Sequence, residues 1–199
     1  MMVVGITGGI GSGKSVVCSV FRILGIPVYE ADREAKKLYQ LPEVIGEVKK
    51  NFGEKYFSAS GILDHAKLAD LVFKDASALQ KINEIIHPYV KKNFRDWKKS
   101  YVNKPYVLKE AAILFESGTE KSCDRIITVT APVEIRIQRV MLRDRRSREQ
   151  IAGIIGKQWT DDEKIKRADF VIVNDDSMLV LPQVLKINET LLQESVSRS

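Results

Sequence analysis

The residues best suited to chemistry lie near the start of the chain, where Gly8–Ser15 reads GGIGSGKS and matches the pattern G-x-x-x-x-G-K-[ST]. Glycines let successive backbone N–H groups turn toward a phosphate, and a helix that begins just after them adds its partial positive charge. Lys14 supplies a full positive charge for the β- and γ-phosphates, and the Ser15 hydroxyl can ligate Mg²⁺. A glycine turn that only packs a helix against a strand would explain the glycines but not the Lys-Ser pair. The segment therefore predicts a nucleoside triphosphate site.

The sequence also bears on which base that nucleotide carries. Guanine-specific proteins with this loop usually have an Asn-Lys-x-Asp segment, but the chain's Asn103-Lys104 is followed by Pro105-Tyr106. GTP recognition of that kind is not supported.

Two acidic residues follow predicted strands and are candidates for catalysis and for metal binding. Asp32 lies just beyond the strand predicted at Pro27–Tyr29, at the carboxyl end of the sheet, where open α/β proteins bind ligands. A general base for an alcohol proton and a helix N-cap explain Asp32 equally well from the residues alone. Glu110 follows the strand Tyr106–Leu108 and can hold Mg²⁺ through water, but an ordinary acid at a strand end is nearly as good an explanation.

A basic segment near residue 140 is a candidate phosphate clamp. Four arginines recur there at spacings of three, four and three, which places them on one face of a helix, with two more nearby. Planar guanidinium groups suit bidentate phosphate contacts, although a solvated basic face is the simpler explanation for several of them. The four are Arg136, Arg139, Arg143 and Arg146, and the neighbours are Arg145 and Arg148.

The elements that must position these residues can be predicted from the hydrophobic pattern. Met2–Thr7 is rich in β-branched residues and predicts a strand, Lys14–Leu24 has a helical apolar stripe that Gly25 ends, and Pro27–Tyr29 predicts a second strand. The chain thus opens with a βαβ unit. Further strands are predicted at Tyr106–Leu108, Arg125–Thr130 and Asp169–Val173, each followed by a helix, and Thr160 begins a capping box. Alternating strands and helices predict an α/β fold with a parallel sheet covered on both faces.

Between these parts, residues 32–101 have a polar, Lys-rich helical pattern. We predict a mostly helical insertion here, broken at Leu41-Pro42, at a turn around Ser58–Gly61, and at His87-Pro88.

Composition sets the class of protein. The 199 residues are 44% apolar and 29% charged, which excludes global disorder and predicts one sizeable core with room for an insertion. Cys18 and Cys123 show no metal-ligand spacing, which favours a reduced intracellular setting. No basic leader precedes an apolar run and no run is long enough for a membrane span, so we expect a cytoplasmic protein without a membrane anchor.

The string Ile6–Ser15, followed after the next strand by Glu30-Ala31-Asp32, resembles the dephospho-coenzyme A kinase family. Four further segments resemble that family in the same order: His87-Pro88, Ile113–Glu116, Arg143-Asp144 with Ser147–Gln150, and Ala168–Ile172 with Asn174. The chain departs from the family's usual residues at Glu30, Ala112, Gly153 and Asp176.

The resemblance implies an ATP-dependent kinase that transfers the γ-phosphate to the ribose 3′-hydroxyl of dephospho-coenzyme A, the last step of coenzyme A biosynthesis. It implies a P-loop NTPase-type core at residues 1–31 and 104–199, a helical substrate-binding subdomain at 32–103, and an Arg-rich lid at 140–160.

The resemblance also assigns residues to roles. For Asp32 it favours the role of general base over that of helix N-cap. The implied catalytic residues are Asp32, Lys14, Arg139 and Arg143, whereas Arg136, Arg145 and Arg148 are expected on a solvated face. The implied ATP-binding residues are Gly9, Gly11, Ser12, Gly13, Lys14, Ser15, Val16 and Asn174. The implied substrate-binding residues are Asp32, His87, Leu114, Phe115 and Glu116, with Ser15 and Glu110 at Mg²⁺. A structural role at a helix start explains His87 equally well.

Two other functions compete with this one. A small P-loop kinase acting on another nucleoside or alcohol would share the loop, the aspartate and the arginines, while a nucleic-acid-dependent ATPase would use the net charge of +6 on a phosphate backbone. Residues 136–148 hold six arginines and one acid, so most of the excess charge is concentrated there. This concentration suits a few phosphates held over a site better than a duplex or a membrane. We expect ATP and dephospho-coenzyme A as partners, no nucleic acid, and a monomer or weak homo-oligomer.

Overall fold

The computed structural model describes residues 1–58 and 60–197, apart from the side chains of residues 65, 66, 69, 73, 74 and 76. Its described residues form two compact units, one made of residues 1–30 with 101–197 and the other of residues 31–100. Within the described residues, no helix has the length and apolar character that crossing a bilayer requires.

The first unit is built on a five-stranded parallel sheet. Its strands are β1 (Met2–Thr7), β2 (Val28–Glu30), β3 (Tyr106–Glu110), β4 (Arg125–Thr130) and β5 (Phe170–Val173), in the order β2-β3-β1-β4-β5. All strand pairs are parallel, which confirms the predicted α/β fold. All six residues of β1 are buried, as expected for a central strand covered on both faces.

The position of β1 determines where the ligand site lies. From β1 the chain runs to β2 and β3 on one side of it and then to β4 and β5 on the other. Ligands of open α/β sheets bind at the carboxyl end of the strands where the strand order reverses, and Gly8–Ser15 follows β1 at this point.

Five helices belong to this unit: α1 (Lys14–Ile23), α6 (Val133–Asp144), α7 (Arg148–Ile155), α8 (Asp161–Ile165) and α9 (Val180–Val196). Helices α1 and α9 place Val17, Phe21, Val184 and Leu191 against the sheet in one hydrophobic cluster. The predicted capping box is confirmed: Thr160 accepts from the Glu163 N–H and Glu163 accepts from the Thr160 N–H. A second capping box, between Ser147 and Gln150, begins α7.

The second unit consists of helices α2 (Ala31–Leu38), α3 (Pro42–Phe52), α4 (His65–Lys74) and α5 (Ala76–Lys99). The predicted helical character is confirmed. In the turn predicted around Ser58–Gly61, the Gly61 N–H donates to the Ser58 carbonyl at 2.9 Å, and Ala59 lies outside the described residues.

The predicted break at His87-Pro88 is wrong, because α5 runs through both residues. Proline removes one backbone hydrogen bond from a helix of 24 residues. Ile82, Ile85 and Ile86 just before it are buried in the unit's own hydrophobic cluster, and their packing offsets that loss. The expectation of a single core is also wrong, since each unit has a hydrophobic cluster of its own.

Candidate active site

The loop after β1 has the backbone conformation that a phosphate site requires. Gly11 has φ +80° and Gly13 has φ +88°, a region that residues with a Cβ adopt only at a cost. A Cβ on Gly13 would also overlap the side-chain amide of Asn174. Helix α1 begins at Lys14, so its N-terminal N–H groups and partial positive charge face the loop.

A cavity of about 390 Å³ opens over this loop. All eight loop residues line it, together with side chains from the segment after β3 and from α6, α7 and the turn that follows α7. The lining residues are Gly8–Ser15, Ala112, Arg139, Val140, Arg143, Ile154 and Gln158. The site therefore combines a glycine loop, one lysine and two arginines in one concave space.

Lys14 and Glu110 form an ion pair within this unit. Glu110 is the last residue of β3, and the parallel register places it beside Ile6 of β1, just before the loop. Both side chains are largely buried, with 16% of Lys14 and 12% of Glu110 exposed. The carboxylate thus lies at the phosphate end of the site, next to the lysine that the pattern assigns to phosphate.

Arg139 is held over the loop by the segment that follows β5. Its guanidinium donates to the Asn174 carbonyl at 3.0 Å and pairs with the Asp176 carboxylate at 2.6 Å. Asn174 in turn donates from Nδ2 to the Ser12 carbonyl at 2.9 Å. Asp176 has φ +66°, a left-handed conformation that aspartate tolerates better than most residues with a Cβ.

Arg143 also lines the cavity, but in this structure it pairs with its neighbour Asp144. Its Nε and Nη2 lie 2.7 and 2.9 Å from the two carboxylate oxygens. These hydrogen bonds lower the pKa of Asp144 and raise the pKa of Arg143, so both groups are charged near neutral pH.

The other arginines correct the sequence prediction. Arg136 is only 4% exposed, so it is not on a solvated face: its Nε donates to the Ile10 carbonyl at 2.9 Å and its Nη1 pairs with Asp161 at 3.0 Å. Helix α6 ends at Asp144, and Arg145 caps it with φ +54°, so Arg146 does not continue the helical face. Arg145 and Arg148 are exposed, as predicted.

Neighbouring acids also offset much of the positive charge in this segment. Arg136 pairs with Asp161, Arg139 with Asp176 and Arg148 with Glu134. The sequence count over residues 136–148 missed these acids because all three lie outside that segment.

A family model described as dephospho-CoA kinase matches residues 2–179. This chain belongs to the dephospho-CoA kinase family.

Individual relatives agree with the family match. A dephospho-CoA kinase of Bacteroides fragilis is 42% identical over 192 residues, covering 96% of this chain and 93% of the relative. A crystal structure from Thermus thermophilus aligns with a TM-score of 0.86 and 36% identity, over 95% of this chain and 96% of that one. A dephospho-CoA kinase structure from Campylobacter jejuni has the same fold, with a TM-score of 0.69 and 23% identity over 96% of this chain and 98% of that one. As a member of this family, the chain is an ATP-dependent kinase.

The residues that the dephospho-CoA kinase resemblance assigned to the acceptor are divided between the two units. Asp32 and His87 are exposed residues of the helical unit. Asp32 lies in the first turn of α2, which begins at Ala31, so its alternative role as N-cap is wrong. His87 lies inside α5, so the alternative of a helix-start histidine is wrong as well.

Leu114, Phe115 and Glu116 lie in the first unit, after β3. Leu114 and Phe115 are buried, and Phe115 stacks on Trp159 with ring centroids 5.8 Å apart. Glu116 accepts the Trp159 N–H at 2.9 Å and pairs with the fully buried Lys164 at 3.0 Å. These contacts give the three residues a packing role, and their contact with substrate stays a prediction.

Sequence reasoning missed three residues that line the cavity or hold the residues around it. Gln158 accepts the Ile10 N–H at 2.9 Å and lines the cavity. Lys164 pairs with Glu116, and Asp161 with Arg136. No local motif marks Gln158 or Lys164, and the capping box at Thr160 indicated only that a helix begins at Asp161.

Proposed function

We propose that this chain transfers the γ-phosphate of ATP to the ribose 3′-hydroxyl of dephospho-coenzyme A, giving coenzyme A and ADP. The observation that carries the proposal is the cavity over Gly8–Ser15, which brings Lys14, Arg139 and Arg143 to one glycine loop in a chain of this family. These are the groups that phosphoryl transfer needs to hold phosphates and to neutralise charge.

The loop binds the phosphates of ATP. Backbone N–H groups between Gly9 and Val16 surround the β-phosphate, and Lys14 moves from Glu110 to the β- and γ-phosphates when ATP enters. Mg²⁺ prefers oxygen ligands: Ser15 Oγ would supply one, and the Glu110 carboxylate at the phosphate end of the site would hold the ion through water. This small set fits Mg²⁺, which keeps several waters and takes further oxygens from the phosphates. When bound, Mg²⁺ stabilises negative charge on the β- and γ-phosphates.

Asp32 is the proposed general base. As the ribose 3′-oxygen forms its bond to the γ-phosphorus, the carboxylate of Asp32 takes the hydroxyl proton, and the bond from that phosphorus to the bridging oxygen of ADP breaks. Its exposure in the first turn of α2 leaves the carboxylate accessible to an alcohol.

Arg139 and Arg143 neutralise the charge that develops during transfer. Both line the cavity, on the face of α6 that is directed to the loop. Arg143 exchanges Asp144 for phosphate oxygens, which match its planar guanidinium equally well.

Residues 140–160 act as the lid and residues 32–103 as the coenzyme A subdomain, with His87, Leu114, Phe115 and Glu116 on the acceptor side. The enzyme works in the cytoplasm as a monomer or weak homo-oligomer, without nucleic acid.

The test follows ADP release with dephospho-coenzyme A, adenosine, AMP and a nucleic acid offered in parallel. Release with dephospho-coenzyme A alone supports the proposal. No release with it, or clear stimulation by the nucleic acid, overturns the proposal.

Two variants test the roles of individual residues. Asp32→Asn is expected to lower turnover by about 10²-fold or more while ATP still binds. Glu34→Gln, on the same helix, is the matched control and should keep turnover. The double variant Arg139→Ala, Arg143→Ala should lose both ATP affinity and rate, and wild-type values would refute the arginine clamp.

A further inference from the structure

The phosphate loop is intrinsically flexible. Four of the six residues between Gly8 and Gly13 are glycine, and glycine loses more conformational freedom on ordering than any other residue. Fixing a residue's backbone costs conformational entropy, so a free loop of this composition would bind phosphate poorly unless other groups held it.

Ile10, near the middle of the loop, is held at both of its backbone polar groups by side chains distant in sequence. Its N–H donates to Gln158 Oε1 at 2.9 Å, and its carbonyl accepts from Arg136 Nε at 2.9 Å. Both distances are ordinary for strong N–H···O hydrogen bonds. Together the two bonds fix the backbone of Ile10 on both sides of its Cα.

Arg136 forms the surface on which the loop rests. A Cβ on Gly9 would overlap its guanidinium, and a Cβ on Gly11 would lie 2.5 Å from its backbone oxygen. The Arg136 side chain is 4% exposed, and its guanidinium is itself fixed by Asp161 at 3.0 Å. Because it is buried under the loop and hydrogen-bonded to Ile10 and Asp161, Arg136 acts on the loop rather than on a ligand.

Gln158 is fixed through the residue that follows it. The backbone N–H of Trp159 donates to Glu116 at 2.9 Å, and the Trp159 ring stacks on Phe115, with centroids 5.8 Å apart, and has the guanidinium carbon of Arg167 4.7 Å from its centroid. The loop's partners are therefore themselves held by packed and charged neighbours.

We propose that Arg136 and Gln158 are positioning residues that hold the Ile10 backbone and so keep the loop in its phosphate-binding form before nucleotide enters. Their effect is on the affinity for nucleotide phosphates, because a loop that is already ordered loses less entropy on binding. This inference rests on the proposed function only in taking ATP and ADP as the ligands.

The first measurement needs neither nucleotide nor acceptor. Hydrogen–deuterium exchange of a peptide covering residues 8–15 is followed in the ligand-free protein for wild type, Gln158→Met and Arg136→Lys. Methionine keeps the volume of glutamine but cannot accept the Ile10 hydrogen bond. A lysine ammonium cannot reproduce the fork that donates to Ile10 and Asp161 together. Both variants are expected to exchange faster in this peptide and not in peptides from β1 or β4.

The second measurement is the dissociation constant for ADP by calorimetry. Loss of one neutral hydrogen bond, about 0.5–1.5 kcal/mol, predicts a roughly 2- to 13-fold higher Kd for Gln158→Met. The KM for ATP should rise by a similar factor with kcat at saturating ATP nearly unchanged, since the bond acts on ground and transition states alike.

Gln183→Met is the matched control. Gln183 accepts the Val173 N–H at 2.9 Å, the same kind of bond at the same distance in the same unit, and it also donates to the Val173 and Leu179 carbonyls at 2.9 and 3.0 Å. This control should lower the melting temperature but leave exchange of residues 8–15 and the Kd for ADP unchanged.

Wild-type exchange of residues 8–15 in both Gln158→Met and Arg136→Lys would overturn the positioning role, as would a wild-type Kd for ADP in Gln158→Met. Should Arg136→Lys fail to fold, Gln158→Met decides alone. A protein that binds ADP but does not phosphorylate dephospho-coenzyme A would refute the proposed function while leaving the exchange test valid.

Discussion

The buried ion pair between Lys164 and Glu116 gives the sharpest test of how the segment after α7 is held in place. Lys164 is fully buried, only 13% of the Glu116 side chain is exposed, and Nζ lies 3.0 Å from Oε1. At an effective dielectric constant of about 20, two unit charges at this distance attract each other by roughly 5–6 kcal/mol. Removing the carboxylate charge leaves an ammonium ion buried without compensation.

Glu116→Gln is therefore expected to lower the free energy of unfolding by about 3–5 kcal/mol. Glutamine keeps an oxygen that can accept the Trp159 N–H, so the change isolates the charge. Lys164→Met should cost less, about 1–3 kcal/mol, because the remaining carboxylate still accepts the Trp159 N–H and belongs to a side chain that is 13% exposed, whereas Lys164 is fully buried. The double variant should be less destabilised than Glu116→Gln alone, since it buries no unpaired charge.

The assay is urea unfolding followed by tryptophan fluorescence in a Trp97→Phe background. The chain has two tryptophans, and this background leaves Trp159, in the same unit as the pair, as the reporter. For a chain of this size, a loss of 3–5 kcal/mol corresponds to a melting temperature roughly 6–20 °C lower. A loss under about 1 kcal/mol for Glu116→Gln, or a double variant worse than both single ones, would refute the reasoning.

Three further predictions concern the same unit. Gly13→Ala should abolish ATP binding, measured by isothermal titration, because a Cβ at φ +88° would overlap the Asn174 amide. Gly153→Ala lies inside α7, where a Cβ meets open space, and should raise the free energy of unfolding measured in urea by up to about 1 kcal/mol. Burial lowers the pKa of Lys109, so the unfolded chain binds more protons than the folded one between the lowered pKa and the ordinary value near 10.4. The contribution of Lys109 to the free energy of unfolding should therefore rise with pH across that window. Unfolding curves measured at successive pH values should show this rise for the wild type and not for Lys109→Met. Burial raises the pKa of Cys18 to about 11, so iodoacetamide at pH 8 should alkylate it only after unfolding, as read by mass spectrometry; rapid labelling of the native protein would contradict this.

The features that the sequence predicted best are those carried by consecutive residues. Gly8–Ser15 contains the groups predicted to bind phosphate within eight consecutive residues, because the glycines, the lysine and the serine act through adjacent backbone and side-chain groups. The strands β1 and β4 begin and end where the β-branched runs do, since a strand covered on both faces needs a continuous apolar segment. The capping box at Thr160 is likewise a contact over three residues.

The predictions that failed depended on contacts between distant residues. Helical spacing placed Arg136, Arg139 and Arg143 on one side of α6 but could not show that Arg136 is buried under the loop while Arg143 borders the cavity. That difference depends on Ile10 and Asp161, which lie on other elements.

The sequence alone was thus enough to determine the parallel α/β fold and the nucleotide loop, because both follow from local pattern and residue chemistry. Only the tertiary structure decided which side chains hold that loop. Gln158 and Lys164 belong to no motif, and their roles arise because folding brings each beside a partner distant in sequence: the Ile10 N–H for the half-buried Gln158 and the Glu116 carboxylate for the fully buried Lys164.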